Sequence, residues 1–250
     1  MLVASLRCVD GTRGHTHQSQ QEAPLPRPVS APQNCQAFGA LLFHLFFLFT
    51  NQLAMTNQYL GGNPMADTVE SILARNCAPV LAGMKPSNLF SCPASCSASL
   101  SAYRSLLEEK GIRTFSICAC GARTLTLVYR ERLLKQQLRR PDVQDCLIRF
   151  GYPVTEGMDA MLAWLQRRAR LEKGFPHEIG CFLGYPMEDV TGFIREKGRN
   201  CKCCGMWKVY GDEAYAKHLF EKYEQCSRAL CNHLEQGVPF LHILAALPAA

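Results

Sequence analysis

Hydrophobic positions recur every three or four residues along several stretches after residue 64, which is the spacing of one buried helix face. The clearest stretch runs from about 155 to 172, where Met158, Met161, Leu162 and Leu165 fall on one side. A long closing helix is predicted over "DEAYAKHLFEKYEQCSRALCNHL". In all, the pattern predicts about six or seven helices.

Short runs rich in β-branched and aromatic residues interrupt the helical pattern and predict strands. These runs lie near 88–92, 113–119, 124–130 and 206–210. The second and third flank the tetrapeptide "CGAR", which is typical of a hairpin turn. The mixture predicts an α+β (mixed α/β) fold, in which a small sheet of three or four short strands is covered by the helices.

A glycine, an aromatic residue and a proline occur in succession three times, at 151–153, 174–176 and 184–186. Glycine tolerates the left-handed conformation that ends many helices, and proline suits the first turn of the next helix. We therefore expect each trio to separate two helices, with the aromatic side chain in the core. Gly184 in particular is expected to have a positive φ.

Composition divides the chain into three parts. Residues 1–64 are mostly polar and proline-rich, as in a disordered tail or an upstream extension, although 38–49 form an apolar run shorter than the roughly 20 residues that span a bilayer. Residues 65–235 are expected to form a single globular domain, and 236–250 a C-terminal tail.

Charge and cysteine content restrict the function classes. The net charge of +6 is mild for a protein that binds nucleic acid, so neither a nucleic-acid nor a membrane partner is indicated. Fourteen cysteines would suit a small secreted disulfide framework, but this chain is long and has no clear signal-peptide cleavage site. We therefore expect reduced thiols and a cytoplasmic location.

Two stretches carry a family resemblance. The first motif, "CAPVLAGMKPSNLFS" (77–91), and the second motif, "FPHEIGCFLGYPMEDVTGFIREKGRNCKCCGMWKVYGD" (175–212), resemble a bacterial family described as domain of unknown function 3793. The resemblance covers roughly residues 66–230 and implies a cytoplasmic protein of anaerobic Gram-positive bacteria. It implies no activity, cofactor or catalytic residue.

The catalytic candidates are Cys77, His177 and Glu178. A thiol and an imidazole brought together by the fold could act as nucleophile and base. However, Cys77 is expected near the C-terminal end of the first helix, where the helix dipole opposes a thiolate. His177 with Cys181 has the spacing of two zinc ligands on a helix, but the pattern favours a role for His177 at a helix start, with Glu178 as a capping partner.

Metal ligands are also suggested by Cys201, Cys203 and Cys204, which are crowded into "CKCC". Structural zinc sites use cysteine pairs two to four residues apart, and no second pair of that kind is close by. Reduced cysteine is also a small apolar side chain, so the cluster predicts no specific cofactor.

Basic and aromatic residues suggest a binding function. We expect the two motifs to meet, with strand 88–91 in the same sheet as 207–210 and the helix within 175–185 over one end. The main hypothesis is a non-catalytic protein that binds a small anionic ligand or a protein partner, and the alternatives are a Cys–His enzyme and a zinc protein. The candidate ligand-binding residues are Lys85, Asn88, Lys202, Trp207, Lys208 and Tyr210.

Overall fold

The computed structural model describes residues 68–93, 96–120, 123–171 and 175–248. The predictions for residues 1–64, including the apolar run at 38–49, therefore lie outside the described residues. Within those ranges the helices are α1 (Val69–Leu81), α2 (Cys96–Ala102), α3 (Arg104–Glu109), α4 (Glu131–Leu138), α5 (Pro141–Arg149), α6 (Met158–Leu171), α7 (Ile179–Leu183), α8 (Met187–Glu196), α9 (Glu213–Glu235) and α10 (Phe240–Ala246).

Three strands form an antiparallel sheet in the order β1-β3-β2. They are β1 (Ser87–Pro93), β2 (Ile112–Cys120) and β3 (Arg123–Arg130). Leu127 in the central strand faces Leu89 on one side and Phe115 on the other, and the pairing of β2 with β3 is irregular between Ser116 and Cys118. The α+β prediction is confirmed.

The sheet separates two hydrophobic layers because successive side chains of a strand point to opposite faces. Leu89 and Leu127 pack in a core layer with helices α4 to α8, whereas the next residues along each strand, Phe90 and Val128, pack in a layer with α1, α3 and α10. Helix α9 supplies residues to both layers, and it lies against α1.

The prediction that 206–210 joins this sheet is wrong. Strands β4 (Cys203–Cys204) and β5 (Lys208–Val209) pair with each other in a separate two-stranded hairpin. The physical reason is that the backbone N–H groups after β5, at Tyr210 and Gly211, donate to the Asp189 carboxylate of α8 at 2.7 and 2.8 Å. The hairpin is therefore tied to a helix rather than to a sheet edge.

The helices follow the predicted pattern but are shorter and more numerous. The closing helix matches α9 closely, while the stretch 155–172 is interrupted at Gly157, where φ is 94°, and continues as α6. Residues 236–250, expected as a tail, carry α10, whose Phe240, Ile243 and Leu244 are buried. No helix within the described ranges is both long and apolar enough to cross a membrane.

The glycine-aromatic-proline trios behave as predicted where they are described. Gly151 and Gly184 both have positive φ, at 73° and 71°, and Gly174 lies outside the described residues. The three aromatic side chains, Tyr152, Phe175 and Tyr185, are all buried. These turns place the start of α7 and α8 against the rest of the core.

Candidate functional site

The first motif buries two polar side chains at the junction of α1 and β1. The Lys85 ammonium donates to Asn88 Oδ1 at 2.5 Å, and the Asn88 amide donates to the carbonyl of Asn76 in α1. The backbone N–H of Lys85 also donates to the carbonyl of Pro79 at 3.2 Å. Both side chains are only 4% exposed, so neither presents a free surface to solvent.

Lys85 lies in an aromatic environment that is unusual for a lysine. Its Nζ is 4.9 Å from the centre of the Tyr185 ring and 5.9 Å from that of Tyr223. Loss of solvation by burial lowers the pKa of Lys85 to about 7, and the neighbouring Cys77 thiolate would act in the opposite direction. An amine with such a pKa changes its charge near neutral pH.

Cys77 lies inside α1, because the helix continues past Pro79 to Leu81 rather than ending before it. The Cys77 thiol is fully buried, and this burial raises its pKa, which disfavours the thiolate that a nucleophile requires. The nearby Lys85 ammonium acts in the opposite direction and lowers the pKa of Cys77. The Cys77–His177 enzyme hypothesis stays a prediction.

Glu178 occupies the N-cap position of α7, but its side chain makes no capping hydrogen bond. Its carboxylate is 1% exposed and accepts from Arg168 Nε at 2.6 Å and from the Tyr152 hydroxyl at 2.9 Å. Loss of solvation, together with the charge of Glu178, raises the pKa of Tyr152. Glu178 therefore joins the start of α7 to α6 and to the first glycine-aromatic-proline turn. Sequence spacing gave no signal for this group.

Asp189 organises the second motif, and the sequence did not single it out. In addition to the two backbone donors already described, its carboxylate accepts from the Trp207 indole at 2.7 Å. The Trp207 ring stacks on Tyr185 at 4.6 Å between centroids and meets Phe220 edge-on at 4.4 Å. One buried carboxylate thus fixes both the hairpin and the orientation of its tryptophan.

A small surface depression lies between α7, α8 and β5. Its volume is about 10 Å³. We call it the aromatic depression, and its principal lining residues are His177, Tyr185, Asp189, Phe193, Trp207 and Lys208. The half-buried His177 ring packs edge-on against Phe193 at 5.0 Å, and burial lowers the pKa of His177.

The two motifs meet in space, as expected, but through side chains and loops rather than through a shared sheet. The Ser87 hydroxyl donates to the Phe182 carbonyl at 2.7 Å. A Cβ on Gly184 would come within 2.5 Å of Pro86 Cγ, so the two turns are in close contact. Lys85 of the first motif and Trp207 of the second contact the same Tyr185 ring.

The remaining candidate ligand-binding residues differ in whether they line the aromatic depression. Lys208 lines the depression and donates to the Gly198 carbonyl at 2.6 Å. The exposed Lys202 donates to the Gly211 carbonyl, also at 2.6 Å, and is not a lining residue. The buried hydroxyl of Tyr210 has no hydrogen-bond partner within the described residues.

The cysteine cluster divides into a pair and a single residue. The sulfur atoms of Cys201 and Cys204 are 3.3 Å apart, whereas Cys203, which precedes Cys204 in β4, lies opposite Val209. Among the described residues, no group of three or more histidine, cysteine or acidic side chains is arranged to hold a metal ion. The Cys201-x-x-Cys204 spacing was the signal that could have identified the pair from sequence.

A roomier cleft of about 370 Å³ lies elsewhere, beside α3 and the start of β2. Its charged residues are mixed in sign: Arg113 is 2.5 Å from Glu131 and 4.0 Å from Glu108, and Asp159 also lines the cleft. The paired charges give this cleft no clear preference for an anion or a cation.

Comparison with known proteins identifies the family. A model described as "Protein of unknown function (DUF3793)" matches residues 73–244, which is more than half of the chain and includes both motifs. The chain therefore belongs to this family. No curated protein and no solved structure shows significant similarity to it.

Proposed function

We propose that this protein is a non-catalytic binding protein that holds the anionic group of a small ligand in the aromatic depression. The observation that carries the proposal is the convergence of side chains from separate parts of the second motif on this one place, where Lys85 of the first motif also contacts the lining ring of Tyr185. Tyr185, Phe193 and Trp207 supply aromatic rings, Lys208 supplies a positive charge and His177 supplies a half-buried imidazole. Apolar walls with a few fixed polar groups are the usual composition of a ligand site.

The charge around the depression favours an anion. Residues 195–208 contain five lysines and arginines and one glutamate. Such a concentration of one sign attracts the opposite charge and raises its local concentration. Asp189 carries the opposite charge, but its two oxygens already accept three hydrogen bonds from Trp207, Tyr210 and Gly211, so they are not free to contact a ligand.

The small volume limits what can enter. About 10 Å³ corresponds to roughly one water molecule, so only a single oxygen atom of an anionic group fits between the rings. The rest of the ligand would lie on the outer surface, over the basic segment. An acidic side chain of a protein partner has the same chemistry and is the competing source of the anion.

Two buried thiols fit the cytoplasmic setting expected from the sequence, which we keep as part of the proposal. Cys77 and Cys181 are fully buried and pack among apolar side chains, as reduced cysteines do. The proposed setting is the reducing cytoplasm of a bacterium.

Thermal unfolding in the presence of acetate, benzoate or phosphate, at constant ionic strength set with chloride, tests the proposal. A ligand at 100 times its Kd should stabilise the wild type by about 2.7 kcal/mol. Lys208→Met should lose this stabilisation, because it removes the charge that lines the depression. The matched control, Lys202→Met, should keep it, because Lys202 lies outside the lining. An equal response of all three proteins would indicate non-specific salt effects and would refute the proposal, as would no response to any anion.

A further inference from the structure

The Cys201 and Cys204 side chains form a thiol pair that the proposed binding function does not use. Their sulfur atoms are 3.3 Å apart, and two residues separate them in the chain. Cys204 is exposed and Cys201 is half-buried, so a small reagent can reach the pair. Among the cysteines whose side chains the structure describes, Cys204 is the exposed one.

The backbone holds the two thiols in this arrangement. Between them, the Lys202 N–H donates to the Val209 carbonyl at 2.8 Å, and the following Gly205 N–H donates to the Trp207 carbonyl at 3.1 Å. The hairpin pairs Cys204 with Lys208 directly. The thiols are therefore kept close by the fold before any bond forms between them.

Two other sets of cysteines provide internal comparisons. Cys203 precedes Cys204 in β4, where it pairs with Val209, and its electrostatic neighbours are Glu213 and Lys217 before Cys201. Cys146 and Cys181 also interact with each other, but both are buried in the core. Neither set combines proximity of two sulfurs with access from solvent.

We propose that Cys201 and Cys204 form a reversible disulfide by exchange with a low-molecular-weight disulfide. The exposed Cys204 thiolate attacks one sulfur of that disulfide and expels the other half as a thiolate, which leaves a mixed disulfide on Cys204. The Cys201 thiolate then attacks the Cys204 sulfur and expels the second half. Two protein thiols are oxidised, one disulfide is reduced to two thiols, and the protons lost by the cysteines protonate the released thiolates.

The pH dependence of this exchange follows from the surroundings of Cys204. Partial burial, its hydrogen bond with Cys201 and the charge of that neighbour raise the pKa of Cys204, and the nearby Lys208 ammonium partly offsets the effect. Since the thiolate is the attacking species, the exchange should become faster as the pH rises through neutrality.

Peptide mapping of the full chain tests the proposal. The folded protein is incubated with oxidised glutathione, free thiols are alkylated, and trypsin is added without a reductant. Because trypsin cuts after Lys202, the disulfide should join the peptides 200–202 and 203–208, and dithiothreitol should separate them. We expect the joined peptide in most molecules. At the same stage, Cys146 and Cys181 should still be free thiols that react with the alkylating reagent only after the protein is unfolded.

Two variants distinguish this bond from its neighbours. Cys203→Ser should form the joined peptide as readily as the wild type, which assigns the bond to Cys204. Cys201→Ser should stop at a glutathione adduct on Cys204. The proposal is overturned if the wild type yields no joined peptide, if Cys203→Ser abolishes it, or if oxidation begins at the core cysteines. These outcomes do not depend on whether the aromatic depression binds an anion.

Discussion

Replacing Lys85 by methionine should change how the stability of the protein depends on pH. The pKa of Lys85 falls from 10.5 to about 7 because burial removes water from the ammonium group. At 1.36 kcal/mol for each pH unit, this difference corresponds to about 5 kcal/mol of free energy that opposes the charged form. The contacts with the Tyr185 and Tyr223 rings favour the charged form and oppose the effect of burial only in part.

The direction follows from proton binding in the two states. Between about pH 7 and pH 10.5, the unfolded chain keeps a proton on Lys85 that the native protein releases. The free energy of unfolding therefore rises with pH across this window, and the contribution is constant below it. Lys85→Met removes the titration, so the stability of the wild type relative to the variant should rise by about 3 kcal/mol from about pH 7 to pH 10.

Urea unfolding followed by circular dichroism at a series of pH values measures this difference. Loss of the hydrogen bond to Asn88 shifts the variant by a constant amount and does not affect the slope. The control, Lys222→Met on the exposed face of α9, should run parallel to the wild type. If the Lys85→Met curve also runs parallel, Lys85 keeps its proton in the native state, and the reasoning from burial is refuted.

Two further substitutions test the architecture around the depression. Gly184→Ala should destabilise the protein by about 2–4 kcal/mol in urea unfolding, because a positive φ is combined with a Cβ 2.5 Å from Pro86. The control Gly237→Ala, at a glycine with a similar φ and open space around it, should cost only about 1 kcal/mol. Equal effects of the two substitutions would contradict the close contact with Pro86. Arg168→Met should lower the free energy of unfolding by about 3–5 kcal/mol, because it leaves the Glu178 charge buried without its cation. Adding Glu178→Gln should restore part of this stability. A double variant no more stable than Arg168→Met would contradict the pairing.

Local features were predictable from the sequence. The helical stripe of α6, the closing helix α9 and the positive φ of Gly184 all depend on residues a few positions apart. Hydrophobic spacing and the conformational freedom of glycine determine such features before any tertiary contact is known.

Features that depend on distant partners were missed. The strand at 206–210 was assigned to the wrong sheet because its pairing is decided by Asp189, about twenty residues earlier. The sequence predicts that Lys85, in a turn motif, faces solvent, since lysines are almost never fully buried. Its burial depends on Tyr185 and Tyr223, which are distant in sequence. Sequence spacing contains no information on such contacts.

The most direct test of anion binding is an NMR titration that observes the two tryptophan indole N–H groups. Trp207 donates to Asp189 at the depression, whereas Trp164, which lies in α6, donates to the Phe150 carbonyl and serves as an internal reference. As benzoate or acetate is added at constant ionic strength, the Trp207 signal should shift and saturate while the Trp164 signal stays in place, and Lys208→Met should abolish the shift. A Trp207 signal that stays in place, or equal and unsaturable shifts of both tryptophans, would contradict the account.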